Sequence, residues 1–297
     1  MTGRRRRARA ICWAVALAGV VPTPQARAWI FHEHQVIGER AIQGLDASEL
    51  HRFDRLWQVA RSMGKGRLCR TADLVEHDAQ GKPTCVSFAA LPAIAGDHSC
   101  SAEEMWKNSV AQDWMLDVIR IAEKTRERLL KAQKREKLQV WNYSNLLLER
   151  ADPNYSGRAA NNFTHFLAAR TAPDFETYMR HALKSDINAN AAATYAFNHW
   201  AALSFALEHA RLPADSPRRK ELVRLALTAE AYAVHFLQDG FSSGHVVGRG
   251  TSVSEAKGTH DHYCVAGIDA VTWEGTVYSA YGDAHMRPRD LKQASAA

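Results

Sequence analysis

Along most of this chain the apolar positions recur at helical rather than strand spacing. Ser101-Ala102-Glu103-Glu104 is a capping-box pattern, and Met105, Val110, Trp114, Val118 and Ile119 follow mainly at helical intervals. They predict a helix that runs into the charged stretch ending near Lys137. Further helices are predicted over about 175–184, over 191–210 with Trp200, Leu203 and Leu207 on one side, and from Arg218 toward Gly240. The last begins just after Pro217 and carries Val223, Leu227, Tyr232 and Phe236. Alternating β-branched runs bounded by turns are scarce, so little sheet is expected. Irregular structure is expected over 64–91 and 248–258. With no internal repeat or low-complexity linker, the pattern predicts one mainly α domain over 29–290 and a frayed tail over 291–297.

The first 28 residues read differently. A basic run from Arg4 to Arg9, an apolar stretch from Ala10 to Val21, two prolines and a small-x-small end at Ala26-Arg27-Ala28 form a secretory signal pattern. The apolar stretch is too short to span a bilayer, and no later segment is long and apolar enough, so no transmembrane segment is expected. Cleavage after Ala28 predicts a secreted or periplasmic product. It also changes the charge. The whole chain carries a formal +6, but losing six arginines lowers Lys+Arg from 38 to 32, equal to the 32 acids. A basic groove for a polyanion is therefore not advertised.

Export changes the reading of cysteine as well. Cys12 leaves with the signal, and four cysteines in an oxidising compartment suggest two disulfides. Connectivity is not fixed by sequence. Cys69–Cys85 with Cys100–Cys264 is the preferred pairing, because the first pair brackets a polar loop.

The chemistry lies in the histidines and acids. His235 and Asp239 are four apart, so on a helix they share a face and can grip one ion, although a core histidine bonded to its neighbouring acid has the same spacing. Continued as helix, His245 lies ten residues on and points about 80° away, within reach of a neighbouring ion. Cleavage would make Trp29 the N-terminus, whose free amine and carbonyl can chelate a cation if His34 completes the site. A tryptophan anchoring the first helix is the other reading. Asp97 on a Gly-Asp turn, His165 between two phenylalanines, and the His260-Asp261-His262 cluster are each compatible with structural roles, and together form a constellation of metal-ligand type.

This ordered set resembles the trinuclear zinc family of bacterial phospholipases C and single-strand-specific nucleases. It shares the Trp29 terminus with His34, the string from His235 through Asp239 to His245, and the histidine at 260. The resemblance implies a single-domain multi-helix fold with three zinc ions. Asp97, His165, His235 and Asp239 would hold one; the Trp29 amine and carbonyl, His34 and a shared Asp239 a second; His245 and His260 the third. Where the family has an acid four residues after the last histidine this chain has Cys264, so Asp261 or water would complete the third site. Such ions neutralise a phosphodiester and lower the pKa of a water toward ~7, with Asp97 at the position that orients or deprotonates it. The N/O donor set suits zinc, and manganese or iron are also compatible with it.

The family implies two substrates, phospholipid at a membrane or micelle surface and nucleic acid. The neutral mature charge and the lone Arg249 after His245 favour phospholipid. Phe241, Trp273 and Tyr281 suit a lipid surface or a stacked base. The Gly-Phe-Ser-Ser-Gly segment after Asp239 departs from the Gln-Pro segment usual in the nucleases. The sequence reading is thus a zinc-dependent phospholipase C acting as a monomer, with a single-strand nuclease or a non-catalytic zinc-binding protein as alternatives.

Overall fold

Pro217 starts the central helix of the molecule. The computed structural model describes residues 29–133, 135–155, 157–158, 163–184, 190–247 and 253–297, with the backbone alone for 253–257. The expected signal segment with its cleavage point and Arg249 lie outside these. Among the described residues the order is α1 (Phe31–Gln43), α2 (Ala47–Met63), α3 (Leu91–Ile94), α4 (Ala102–Ala111), α5 (Trp114–Lys131) and α6 (Lys137–Ala151). There follow α7 (Phe175–Ala182), α8 (Ala191–Arg211), α9 (Arg218–Asp239), α10 (Ser243–Val247) and α11 (Val253–Ala266). A hairpin of β1 (Ile268–Val271) and β2 (Val277–Ala280), Ile268 opposite Ala280, precedes α12 (Pro288–Ala296). The structure is mainly helical, with one small two-stranded sheet among the described residues.

Helix α9 packs along α8 and also meets α1, α2, α3 and α4. Leu222, Ala231, Tyr232 and Phe236 are buried on it, with Trp57, Leu91, Ile94, Met105 and Ile119 of neighbouring elements. At roughly 1.5–3 kcal/mol per large apolar side chain, this burial fixes α9 along its length. Its last turn is equally buried but polar: His235, Gln238 and Asp239 are inside. A helix normally hides apolar residues, so this buried polar turn needs partners.

The described structure corrects several expectations. The helix begun at Ser101, whose hydroxyl accepts from the Glu104 amide, does not run to Lys137. Gln112 is extended, and Arg67 holds both the Gln112 carbonyl at 3.0 Å and the Asp113 carboxylate at 2.9 Å. The apolar side of α8 faces solvent, with Trp200 71% exposed, because the opposite side packs on α9. The expected frayed tail is helical: Ala294 and Leu291 of α12 close over Trp29 and Ile37. Within 64–91, Cys69 and Cys85 form a disulfide, and the Trp57 indole donates to the Cys69 carbonyl at 3.0 Å. Cys100–Cys264 does not form: Cys100 is exposed, and Cys264 is buried elsewhere.

Candidate metal centre

Two stops in the chain build the centre. Helix α9 ends at Asp239 and the chain turns at Gly240, so α10 is a separate short helix that returns His245 to the same interior. The continuous-helix angle assumed for His245 is replaced by this turn. Gly96, at φ +74°, presses the turn before Asp97 against the histidines: a Cβ there would stand 2.6 Å from His165 Cε1 and from His235 Nε2. Only glycine meets both the backbone angle and the close approach.

Asp239 is fully buried at the middle. Its Oδ2 lies 2.6 Å from His165 Nδ1 and 3.5 Å from His235 Nε2. Its Oδ1 lies 3.4 Å from His34 Nε2 and 3.7 Å from His245 Nδ1. Two of these rings are oriented from behind. His235 Nδ1–H donates to the Pro92 carbonyl at 2.7 Å, and His34 Nδ1–H donates to Gln238 Oε1 at 2.6 Å. Each leaves Nε2 as a lone pair turned toward Asp239, the arrangement in which imidazole binds a metal. The Trp29 indole donates to the Gln238 carbonyl at 2.9 Å, which places the start of the described chain beside the same turn.

A second cluster lies next to the first. His260 Nε2 is 3.5 Å from Cys264 Sγ and 3.6 Å from Asp283 Oδ2, and the His245 and His260 rings stand 4.8 Å apart. His260 and Cys264 are one turn apart on α11. Asp261 does not join them. It is the neighbouring residue on the helix and diverges by about 100°, so its carboxylate, half exposed, meets His260 at Nδ1, 3.1 Å away. The acid at this cluster is Asp283, which the sequence reading missed. One signal was present: Gly282-Asp283 repeats Gly96-Asp97, and a Cβ on Gly282 would run into Cys264 Sγ. His98 turns away from Asp239's group to Asp152, 2.9 Å distant, and His262 is exposed.

The titration of these groups records the crowding. Burial disfavours an ionised Asp239, but His235, His165 and His245 around it outweigh that and hold it well below the ordinary aspartate value. Burial lowers His165, yet Asp239 and Asp97 raise it above the usual histidine value. Burial pushes His235 and His245 well down, leaving them neutral. Burial, with the charges of Asp283 and Asp261, pushes the Cys264 thiol well up. Burial and the charge of Glu33 do the same to Asp283. A cation would reverse the last two, since a coordinating thiol is deprotonated outright.

The donor set fits metal ions. Ten buried side-chain polar atoms lack a hydrogen-bond partner among the described residues, and seven belong to His34, Asp97, His165, Asp239, His245 and Asp283. Unpaired buried lone pairs are costly, and their concentration at one place is what a bound cation would satisfy. The ligand atoms of His34, His235 and Asp239 lie within 4.8 Å of one another, as do those of His260, Cys264 and Asp283. Compared with known proteins, the chain matches no family model, and neither a curated protein nor a solved structure matches it.

Proposed function

We propose that this chain is an exported, zinc-dependent phosphodiester hydrolase of phospholipase C type. The observation that carries the reading is Asp239, each of whose two oxygens faces two histidines. A carboxylate so placed could help hold two cations, and closely spaced cations are the arrangement that phosphodiester hydrolysis exploits. His34, His235, His165 and Asp97 would surround Asp239 in holding two ions, with the Trp29 amine added after processing. His245, His260, Cys264 and Asp283 would hold a third. Bound zinc supplies Lewis acidity and lowers the pKa of an attacking water.

The chain's own residues perform the remaining work. Asp97 carries an unpartnered buried oxygen and is the group proposed to orient the attacking water and take its proton. His34 and His235 stay in fixed tautomers through Gln238 and Pro92, so no reorganisation is needed to present their lone pairs. Phospholipid is favoured over nucleic acid because the processed chain would be neutral, giving little salt-sensitive grip on a polynucleotide. The Cys69–Cys85 disulfide accords with the oxidising compartment that export implies.

The test uses the chain exported and processed at its own site, loaded with zinc and offered both a short-chain phosphatidylcholine and single-stranded DNA or RNA. Diacylglycerol release that a chelator abolishes and added salt barely changes is the expected result. Acid-soluble nucleotides without diacylglycerol would replace the substrate with nucleic acid. Neither product, with zinc bound, would mean a non-catalytic zinc protein.

A further inference from the structure

An apolar cavity of about 490 Å³ lies beside the metal centre. Its walls include Leu167, Tyr178, Tyr195, Phe236, Phe241 and Trp273, brought together from α7, α8, α9, the β1–β2 hairpin and the segments before α7 and after α9. The cavity shares a wall with the histidines. The Phe236 ring stands 5.4 Å from the ring of His165 and 5.0 Å from that of His235. Leu167 donates its amide to the His245 carbonyl at 3.0 Å. At the mouth, Phe175 and Val271 also line the cavity yet are about half exposed, at 55% and 50%.

Two of the polar side chains in the wall are engaged by the protein itself. The Tyr178 hydroxyl donates to the Ala168 carbonyl at 3.1 Å. Arg170 donates to the Val271 carbonyl at 2.7 Å and lies over the Trp273 ring, its Cζ 3.6 Å from the centroid. No acid lines the cavity, and Arg170 is its one cation. An occupant with a hydrogen-bonding edge, such as a nucleobase, would lay most of that edge against apolar side chains, where unpaired polar groups are costly. An alkyl chain has no such edge and gains about 0.8 kcal/mol for each methylene buried.

We propose that this cavity binds the acyl chain of a lipid substrate. The proposal rests on the phospholipase reading of the adjacent centre, but none of the cavity residues is a proposed metal ligand, so the two are separable by experiment. Chain binding should survive removal of metal, whereas hydrolysis should not.

The probe is a series of single-chain alkylphosphocholines of increasing length, kept below their micelle concentrations and titrated calorimetrically into the full exported chain, with and without chelator. Affinity is expected to rise about fourfold per added methylene until the cavity is filled, and then to level off. Ala270 lines the cavity from β1, and Ala270→Trp should lower affinity by about tenfold or more with bound zinc unchanged. As a second measurement, a chain brominated near its end should quench tryptophan emission in the unaltered protein and much less in Trp273→Phe. Affinity independent of chain length, binding undiminished in folded Ala270→Trp, quenching equal in Trp273→Phe, or binding lost on chelation while the fold persists would each overturn the proposal. So would displacement of the alkyl ligand by a nucleoside monophosphate. Absence of diacylglycerol release with these binding results intact would remove the phospholipase reading and leave a lipid-binding cavity.

Discussion

A Cβ on Gly96 would stand 2.6 Å from Nε2 of His235, so backbone from one turn and a side chain from α9 occupy neighbouring space with no room between them. The same turn carries Asp97, whose charge helps to raise His165 above the usual histidine value. Gly96→Ala is expected to destabilise the protein by about 1–3 kcal/mol through its positive φ alone. The added methyl would also displace His165 or His235, so zinc content should fall in protein that remains folded. Urea denaturation combined with elemental analysis checks both, and full zinc occupancy in folded Gly96→Ala would show that this close approach does not shape the centre.

Asp239 and Asp283 separate the two clusters. Asp239 faces four histidines, two from each oxygen, whereas Asp283 faces His260 beside Cys264. Asp239→Asn should reduce zinc stoichiometry by about two ions, since it removes the charge shared between them, and Asp283→Asn by about one. Metal counts from equilibrium dialysis against a zinc buffer decide this. Equal losses in the two variants would contradict the division of ligands.

The sequence made the long helices legible where the cause was local. Ser101 caps α4, Pro217 stands at the start of α9, and the His235-x-x-x-Asp239 spacing puts both groups on one buried face. It failed where the cause was distant. The break between α4 and α5 depends on Arg67, dozens of residues earlier in the chain, reaching Gln112 and Asp113, which no local periodicity encodes. The helices α1, α2 and α6 received no predicted ranges, although Asp46 and Glu49 form a reciprocal cap at the start of α2. Asp283 carried only the Gly-Asp repeat as a signal, for a related reason: its proximity to His260 and Cys264 is created when the hairpin folds the chain back onto α11. Cys264 was read toward a disulfide because compartment and count favour pairing, and its buried position 3.5 Å from His260 Nε2 overrides that arithmetic.

That position makes Cys264 a testable ligand. Without a cation its thiol is pushed well up by burial and by the charges of Asp283 and Asp261. A bound divalent ion would take the thiolate, releasing a proton. Cobalt substituted for zinc should therefore show a near-ultraviolet thiolate-to-metal charge-transfer band, absent in Cys264→Ser. An unchanged spectrum in Cys264→Ser would leave the thiol as a buried apolar side chain and assign the cluster to His260 and Asp283 alone.

The last prediction concerns an ion pair outside the metal centre. Asp152 is buried and lies 2.9 Å from His98 Nδ1 and 2.7 Å from the Arg158 guanidinium. Burial opposes its ionisation, but the hydrogen bond and charge of His98, together with Arg158, outweigh this and hold it below the ordinary aspartate value. A folded-state pKa depressed below the unfolded value means that the unfolded chain binds more protons in the interval between them. Stability from Asp152 is thus fully present above about pH 4 and is lost as pH falls through the depressed folded value. Asp152→Asn should cost about 1.5–3 kcal/mol at pH 7, because it removes the charge that His98 and Arg158 hydrogen-bond, although Arg158 keeps Glu104 at 3.3 Å. The difference between the two proteins should shrink as the pH is lowered below about 4. Urea midpoints with matched slopes at neutral and acid pH measure it. A difference that stayed constant across that range would mean that Asp152 contributes by shape and hydrogen bonding rather than by charge.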